Sequence, residues 1–263
     1  MDFRKIGKHK ASIFPGFCNK HDFSVFAEVE IGDVEINQRS LLLLTYRVVC
    51  LEIFGKEVNV KIYSDPVFQS GVNGANVADF AQNFVNGTKE GLRDLRRMKL
   101  AYEAAIHHSI GLDHFGSFVF GFDEPLPFCF AAPIVPERNF DGDIIQPQHH
   151  GVWDSLGVYA GALGTKNIFA VAGFLDPNKP YLRDFIRSFD KVPLAEAGDV
   201  ALNTVIDFVE NSFFQKSWVD ALKPIVKAQL IRRFATSAPN TDVRRRPEMF
   251  RNRPIGTACL ISA

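Results

Sequence analysis

The order of hydrophobic and polar positions predicts two long helices in the first half of the chain. A dense apolar run from Asn37 to Gly55 predicts a buried helix, although its β-branched residues are also typical of strands. The alternating residues 58–62 fit either a short strand or a continuation of this helix. Apolar residues then recur every three or four positions over 77–110, which predicts an amphipathic helix with or without a break at Asn86-Gly87.

The middle of the chain changes to short apolar segments separated by turn residues. These segments cover residues 118–122, 128–135, 157–162 and 167–174, and each is typical of a strand. Helical periodicity returns over 202–213 and 218–230. The predicted fold class is therefore α+β, with N- and C-terminal helices packed around a small, mostly antiparallel central sheet.

Charge is distributed unevenly along the chain, and this separates a predicted body from a predicted tail. Residues 1–236 are expected to form a single α+β domain, and 237–263 a basic, poorly ordered tail. The stretch from Lys223 to the end carries a net charge of +7, although the whole chain has a net charge of zero. A basic end on an acidic body is typical of contact with nucleic acid or another polyanion, and equally of a solvated tail.

The composition is that of a globular protein with an aromatic core and free thiols. There are 25 Phe against 5 Tyr and 2 Trp, and Phe favours packing because it has no polar group. The four cysteines are scattered without a C-x-x-C pair. No signal peptide begins the sequence, and no apolar stretch reaches the roughly 18 residues that span a bilayer. We therefore expect a cytoplasmic protein with no membrane contact.

The segment from Cys18 to Asp22 places a thiol, an imidazole and a carboxylate within five residues. If it forms a turn of helix, Cys18 and His21 lie on one face. That spacing suits a thiolate and an imidazole on one zinc ion, with Asp22 as a third ligand or an orienting group. Candidates for the remaining ligands are His107, His108, His114, Asp141, Asp143, His149 and His150.

Two other interpretations of this segment stay open. Cys18 could be a nucleophile activated by His21, with Asp22 or another acid orienting the imidazole. Alternatively, Cys18 is a buried small hydrophobic residue, and His21 and Asp22 are a capping or hydrogen-bonding pair. The spacing of the residues does not decide among the three.

Two charged residues, Arg47 and Glu52, interrupt the apolar helix predicted after Asn37. Each needs a partner if it is buried, because an unpaired buried charge is strongly destabilising. Candidate partners are Asp22, Glu28 and Glu30, which would place charge beside the Cys-His-Asp segment. In a functional interpretation, Arg47 holds an anion and Glu52 serves as a base or metal ligand.

Several of these residues together resemble a family of uncharacterised bacterial proteins of similar length. The resemblance rests on Phe17-Cys18-x-x-His21-Asp22-x-x-x-Phe26 and on Tyr46-Arg47 with Glu52 in a leucine-rich helix. It extends to a turn at Pro136–Gly142 with Gln146, and to Glu210-Asn211-x-Phe213. It implies a bacterial cytoplasmic protein with a shared site and attaches no reaction. Val209 departs from the pattern, in which a cysteine is expected.

Two functions follow as hypotheses. The first is a metal-dependent hydrolase acting on nucleic acid or a nucleotide, as a toxin or phage-defence effector. Its catalytic residues would be Cys18, His21, Asp22, Arg47 and Glu52, with zinc held by Cys18, His21 and Asp22. The alternative is a non-catalytic binding or regulatory protein, in which the Cys/His site is structural and the basic C-terminal segment makes the contact.

Overall fold

A computed structural model of the protein describes residues 3–7, 16–66, 68, 75–108, 110–146, 153–209, 212–237 and 258–261. The helices are α1 (Asn19–Glu30), α2 (Gln38–Tyr63), α3 (Ala75–Ile106), α4 (Tyr181–Ser188), α5 (Ala197–Phe208), α6 (Lys216–Ala221) and α7 (Pro224–Ser237). The strands are β1 (Phe115–Phe122), β2 (Phe128–Ile134), β3 (Leu156–Leu163), β4 (Lys166–Phe174), β5 (Ser212–Phe214) and β6 (Ala258–Leu260). Two 3₁₀ turns, Phe189–Lys191 and Leu194–Glu196, join α4 to α5.

The strands form one antiparallel sheet in the order β5-β2-β3-β4-β1-β6. Its centre is the hairpin of β3 and β4, which turns at Gly164 with a positive φ of 58°. β1 pairs with β4 from Phe115 opposite Phe174 to Phe122 opposite Asn167. The prediction of an α+β fold with helices around a mostly antiparallel sheet is confirmed.

Both faces of the sheet are covered by helices. Along β4, Phe169 and Val171 belong to one core and Ile168 and Ala170 to the other, because successive side chains of a strand point to opposite faces. The first core contains residues of the C-terminal helices α4, α5 and α7. The second contains residues of the N-terminal helices α1, α2 and α3. Much of the phenylalanine lies in these cores, as the composition indicates.

The long helix α2 decides between the helix and strand interpretations that its sequence left open. It begins with a capping box, in which the Asn37 and Ser40 side chains each bond to the other's backbone N–H. It then continues to Tyr63, so residues 58–62 are helical. α3 packs against α2 and runs unbroken through Gly87. Among the described residues, no helix combines the length and apolar character needed to cross a bilayer.

Two strands occur where the sequence predicts other structure. Phe213 is predicted on a helix, but α5 ends at Phe208, and Phe213 pairs with Cys129 in the sheet. Ala258–Leu260 lies in the stretch expected to be poorly ordered, yet it pairs with β1. Both strands sit at sheet edges and obtain their hydrogen bonds from residues distant in sequence, which local periodicity does not register. The arginine-rich part of the tail, 238–257, lies outside the described residues.

Candidate functional site

Cys18 is the N-cap residue of α1, and His21 lies in the first turn of that helix. The Cys18 backbone is extended, and its carbonyl accepts the N–H of Asp22 at 2.9 Å. The Cys18 Sγ and His21 Nδ1 atoms are 3.3 Å apart, which is hydrogen-bond distance for a thiol and an imidazole. Both side chains are exposed. The segment therefore begins a helix, which was the condition for a site at Cys18 and His21, and the interpretation of Cys18 as a buried hydrophobic residue is wrong.

Arg47 of α2 connects to α1 beside this pair. Its guanidinium forms ion pairs with Asp22, at 3.3 Å, and with Glu30, and it lies 5.0 Å above the ring of Phe26. Two of the partners expected from the sequence are thus the observed ones, whereas Glu28 pairs with a different arginine. These charges are more than a third exposed, so each pair contributes little stability on its own. Their effect is to orient Asp22 toward α2.

Glu52 lies in a different place from the Cys18–His21 pair. It forms an ion pair with Lys56, one turn further along α2, at 3.1 Å. It lies five positions after Arg47, so the two side chains point about 140° apart around the helix. Glu52 faces a cavity of about 490 Å³ that α3 also lines. The structure therefore pairs Cys18 with His21 and Arg47 with Asp22 at the start of α1, and places Glu52 apart from both pairs.

The other candidate metal ligands make separate contacts. Asp141 pairs with Lys191, and Asp143 lies 3.3 Å from the Asn139 amide. Within the described ranges, no group of three or more His, Cys, Asp or Glu side chains is arranged to hold a metal ion. His149 and His150, and the Glu210-Asn211 pair of the resemblance, lie outside the described residues.

A partly buried group of titratable side chains between α2 and α3 was missed by the sequence analysis. The Tyr46 hydroxyl donates to Glu103 at 3.0 Å, and Lys99 pairs with the same carboxylate. Burial raises the pKa of Tyr46, and it raises the pKa of the Cys50 thiol to about 11. Cys50 therefore stays protonated and unreactive at neutral pH. The i,i+4 spacing within each helix was visible in the sequence, but the pairing of the two helices was not.

Asp199, in the first turn of α5, is a further perturbed carboxyl group. Burial, and then the nearby Glu196, raise its pKa from 3.8 to about 6. The folded state thus binds this proton more tightly than the unfolded chain does, so stability falls as the pH rises from about 4 to about 6. Because the group is only partly buried, Asp199→Asn should raise the free energy of unfolding at about pH 8 by only about 1 kcal/mol.

Thermal unfolding of this variant and the wild type at about pH 4 and about pH 8 tests this pH dependence of stability, because the two pH values lie on either side of the shifted pKa. The stabilisation should appear at the higher pH alone. An equal gain at both pH values would show that the amide acts through packing and that the Asp199 carboxyl has no raised pKa.

Comparison with known proteins assigns no family to this arrangement. The chain matches no protein family model, no curated protein and no solved structure. The resemblance to the bacterial family with the Phe-Cys-x-x-His-Asp motif therefore stays a prediction.

Proposed function

We propose that the protein is a hydrolase in which Cys18 is the nucleophile and His21 the general base. The observation that carries the proposal is the 3.3 Å contact between Cys18 Sγ and His21 Nδ1 on an exposed surface. A nucleophile and a base within hydrogen-bond distance are the recurring feature of covalent catalysis by cysteine. Cys50, by contrast, is buried in the second core, where no substrate reaches its thiol.

The position of Cys18 at a helix N-terminus supports the same chemistry. The first N–H groups of a helix have no intrahelical acceptor, and the Cys18 side chain does not cap them. They and the helix dipole stabilise negative charge, either on the sulfur or on the oxygen of an attacked carbonyl. The fitting substrate class is therefore an ester, thioester or amide.

The proposed reaction proceeds in two steps. His21 takes the thiol proton while Cys18 Sγ bonds to the carbonyl carbon, and the imidazolium then returns that proton to the leaving group. Water next attacks the acyl-cysteine, giving one proton to His21 and releasing the acid as the thiol regains its proton. No oxidant or further reactant is needed.

Zinc binding by the same two side chains is a second candidate function, and the distance between Cys18 Sγ and His21 Nδ1 fits it. Bonds of about 2.3 Å to sulfur and about 2.0 Å to nitrogen at a tetrahedral angle place the donors about 3.5 Å apart. The observed separation is 3.3 Å. Bound zinc would supply a Lewis acid for the hydrolysis of nucleic acid or a nucleotide. Asp22 would have to leave Arg47 to become a third ligand.

Alkylation of the cysteines by iodoacetamide, followed by peptide mapping, tests the proposed nucleophile. Cys18 should react fastest in the wild type, and His21→Ala should slow its reaction about tenfold because the proton acceptor is lost. Cys259, which is also exposed, serves as the internal control, and its rate should not change. Equal reaction of Cys18 with and without His21 would contradict the nucleophile.

Metal analysis of the same proteins separates the two candidates. About one zinc per chain in the wild type, lost in both Cys18→Ser and His21→Ala, would favour the metal site. A wild-type protein that stays zinc-free after incubation with the metal, yet shows His21-dependent alkylation, would favour the nucleophile.

The remaining expectations rest on the sequence alone. The polyanion partner depends on the basic segment 238–257, which lies outside the described residues. The toxin or phage-defence setting and the cytoplasmic location likewise stay predictions. The non-catalytic alternative also stays a prediction, although the exposure of Cys18 and His21 argues against a closed structural metal site.

A further inference from the structure

A groove between α3 and residues 153–155 lies apart from the Cys18–His21 pair. It consists of a cavity of about 490 Å³ and an adjoining one of about 130 Å³. Asp94, Trp153 and Ser155 line both cavities, so the two lie side by side. The larger volume is within the range of sites that hold a small organic molecule.

Two glycines on α3 keep the larger cavity open. Gly87 and Gly91 line it from the middle of the helix, where each costs up to about 1 kcal/mol relative to alanine. A Cβ at Gly87 would meet nothing within 4 Å, and one at Gly91 would touch only Lys56 at an ordinary 3.6 Å. No close packing therefore requires either glycine. Their effect is to leave space beside the helix.

Asp94 presents an unsatisfied acceptor at the junction of the two cavities. Its Oδ1 atom is buried and has no hydrogen-bond partner among the described residues. The guanidinium groups of Arg93 and Arg97 lie 3.7 and 3.8 Å away, which balances its charge without a hydrogen bond. A buried acceptor without a hydrogen bond is destabilising. This carboxylate is therefore suited to accept a hydrogen bond from a ligand.

Tyr102 also lines the smaller cavity, and its hydroxyl is a second buried polar group. This side chain is fully buried, and within the described residues its hydroxyl makes no hydrogen bond of normal geometry. Burial raises the Tyr102 pKa, and the Thr45 hydroxyl lies near enough to lower it by less. The unsatisfied acceptor that lines both cavities is therefore Asp94, beside Trp153.

We propose that this groove binds a nucleotide with a guanine-type base. An aromatic side chain favours a planar ring, and the buried carboxylate favours a ring with adjacent N–H donors. Arg93 and Arg97 both lie beside that carboxylate and repel a cationic ligand such as an amidine. The same two arginines attract a phosphate group. This proposal does not depend on the Cys18–His21 pair.

Fluorescence titration with guanosine monophosphate tests the site. The chain has two tryptophans, so Trp218→Phe leaves Trp153 as the sole reporter. Saturable quenching is expected in this background. Asp94→Asn should weaken binding roughly tenfold or more because a charged acceptor is lost. Gly91→Leu should abolish binding by filling the cavity. Adenosine monophosphate, whose ring lacks the adjacent N–H donors, should bind at least about tenfold more weakly.

A matched control on the same helix is Lys89→Gln, which alters an exposed side chain and should leave the affinity unchanged. Circular dichroism of each variant shows whether it is folded. Absence of quenching at millimolar nucleotide in the folded Trp218→Phe protein would overturn the proposal. Equal affinity for the two nucleotides, or no loss in the folded Asp94→Asn variant, would overturn it as well.

Discussion

Replacement of Gly157 by alanine is expected to lower the free energy of unfolding by about 3 kcal/mol. A Cβ at this position of β3 would lie 2.4 Å from Cγ2 and 2.8 Å from Cβ of Thr45 on α2. Rotating the Thr45 side chain does not relieve the second contact, and its hydroxyl is held by the Leu41 carbonyl at 2.7 Å. α2 would therefore have to move away from the sheet. Chemical denaturation followed by circular dichroism measures the loss.

Two companion variants show whether the contact is the cause. Gly55→Ala changes an exposed glycine of α2 with nothing within 4 Å of the new Cβ, and should stabilise the protein by about 0.5–1 kcal/mol. Thr45→Ala removes the closest atom, so the double variant with Gly157→Ala should lose less stability than the two single losses added together. A Gly157→Ala protein as stable as the wild type would contradict the tight approach of α2 to β3.

The fold class was predictable because each central strand is a short apolar run bounded by turn residues. The sequence does not show which residues of a strand face which helices. β4 is buried on both faces, so Phe169 and Ile168 are equally apolar although they enter different cores. The pairing of the edge strands could not be predicted either, because β6 pairs with β1, more than a hundred residues earlier in the chain.

The candidate site was predictable only where it is local. The spacing of Cys18 and His21 allows their contact if the segment begins a helix, and to that extent the sequence indicated it. Asp94 and Asp199 carry no such signal, because burial depends on how helices pack and is not written in the neighbouring residues. The separation of Glu52 from Arg47, by contrast, follows from their spacing, because five positions along a helix turn the two side chains about 140° apart.

α2 is the element that relates the two proposed sites. One side of it directs Arg47 toward α1 and the Cys18–His21 pair, and another directs Glu52 and Lys56 toward the groove beside α3. Because different side chains serve each site, the proposed cysteine nucleophile and the proposed nucleotide groove can be disproved independently. Loss of Cys18 reactivity should leave nucleotide binding intact, and filling the groove should leave alkylation of Cys18 unchanged.

The second large effect is expected at Arg233, which joins α7 to α5. Its guanidinium donates to Asn203 at 2.7 Å and to Asp207 at 3.1 Å, and the Arg233 and Asp207 side chains are only 14% and 12% exposed. Arg233→Met keeps most of the apolar stem but leaves the Asp207 carboxylate without this guanidinium. Removing one partner of a buried ion pair should lower the free energy of unfolding by about 3 kcal/mol.

Denaturation of the neighbouring Arg232→Met variant provides the matched control for the loss at Arg233. That arginine is exposed, so its replacement should change stability by no more than about 0.5 kcal/mol. Adding Asp207→Asn to Arg233→Met removes the buried charge itself and should restore a large part of the loss, because the cost lies in a carboxylate that has lost this guanidinium. If the double variant is no more stable than Arg233→Met, lost packing between α5 and α7 is responsible instead.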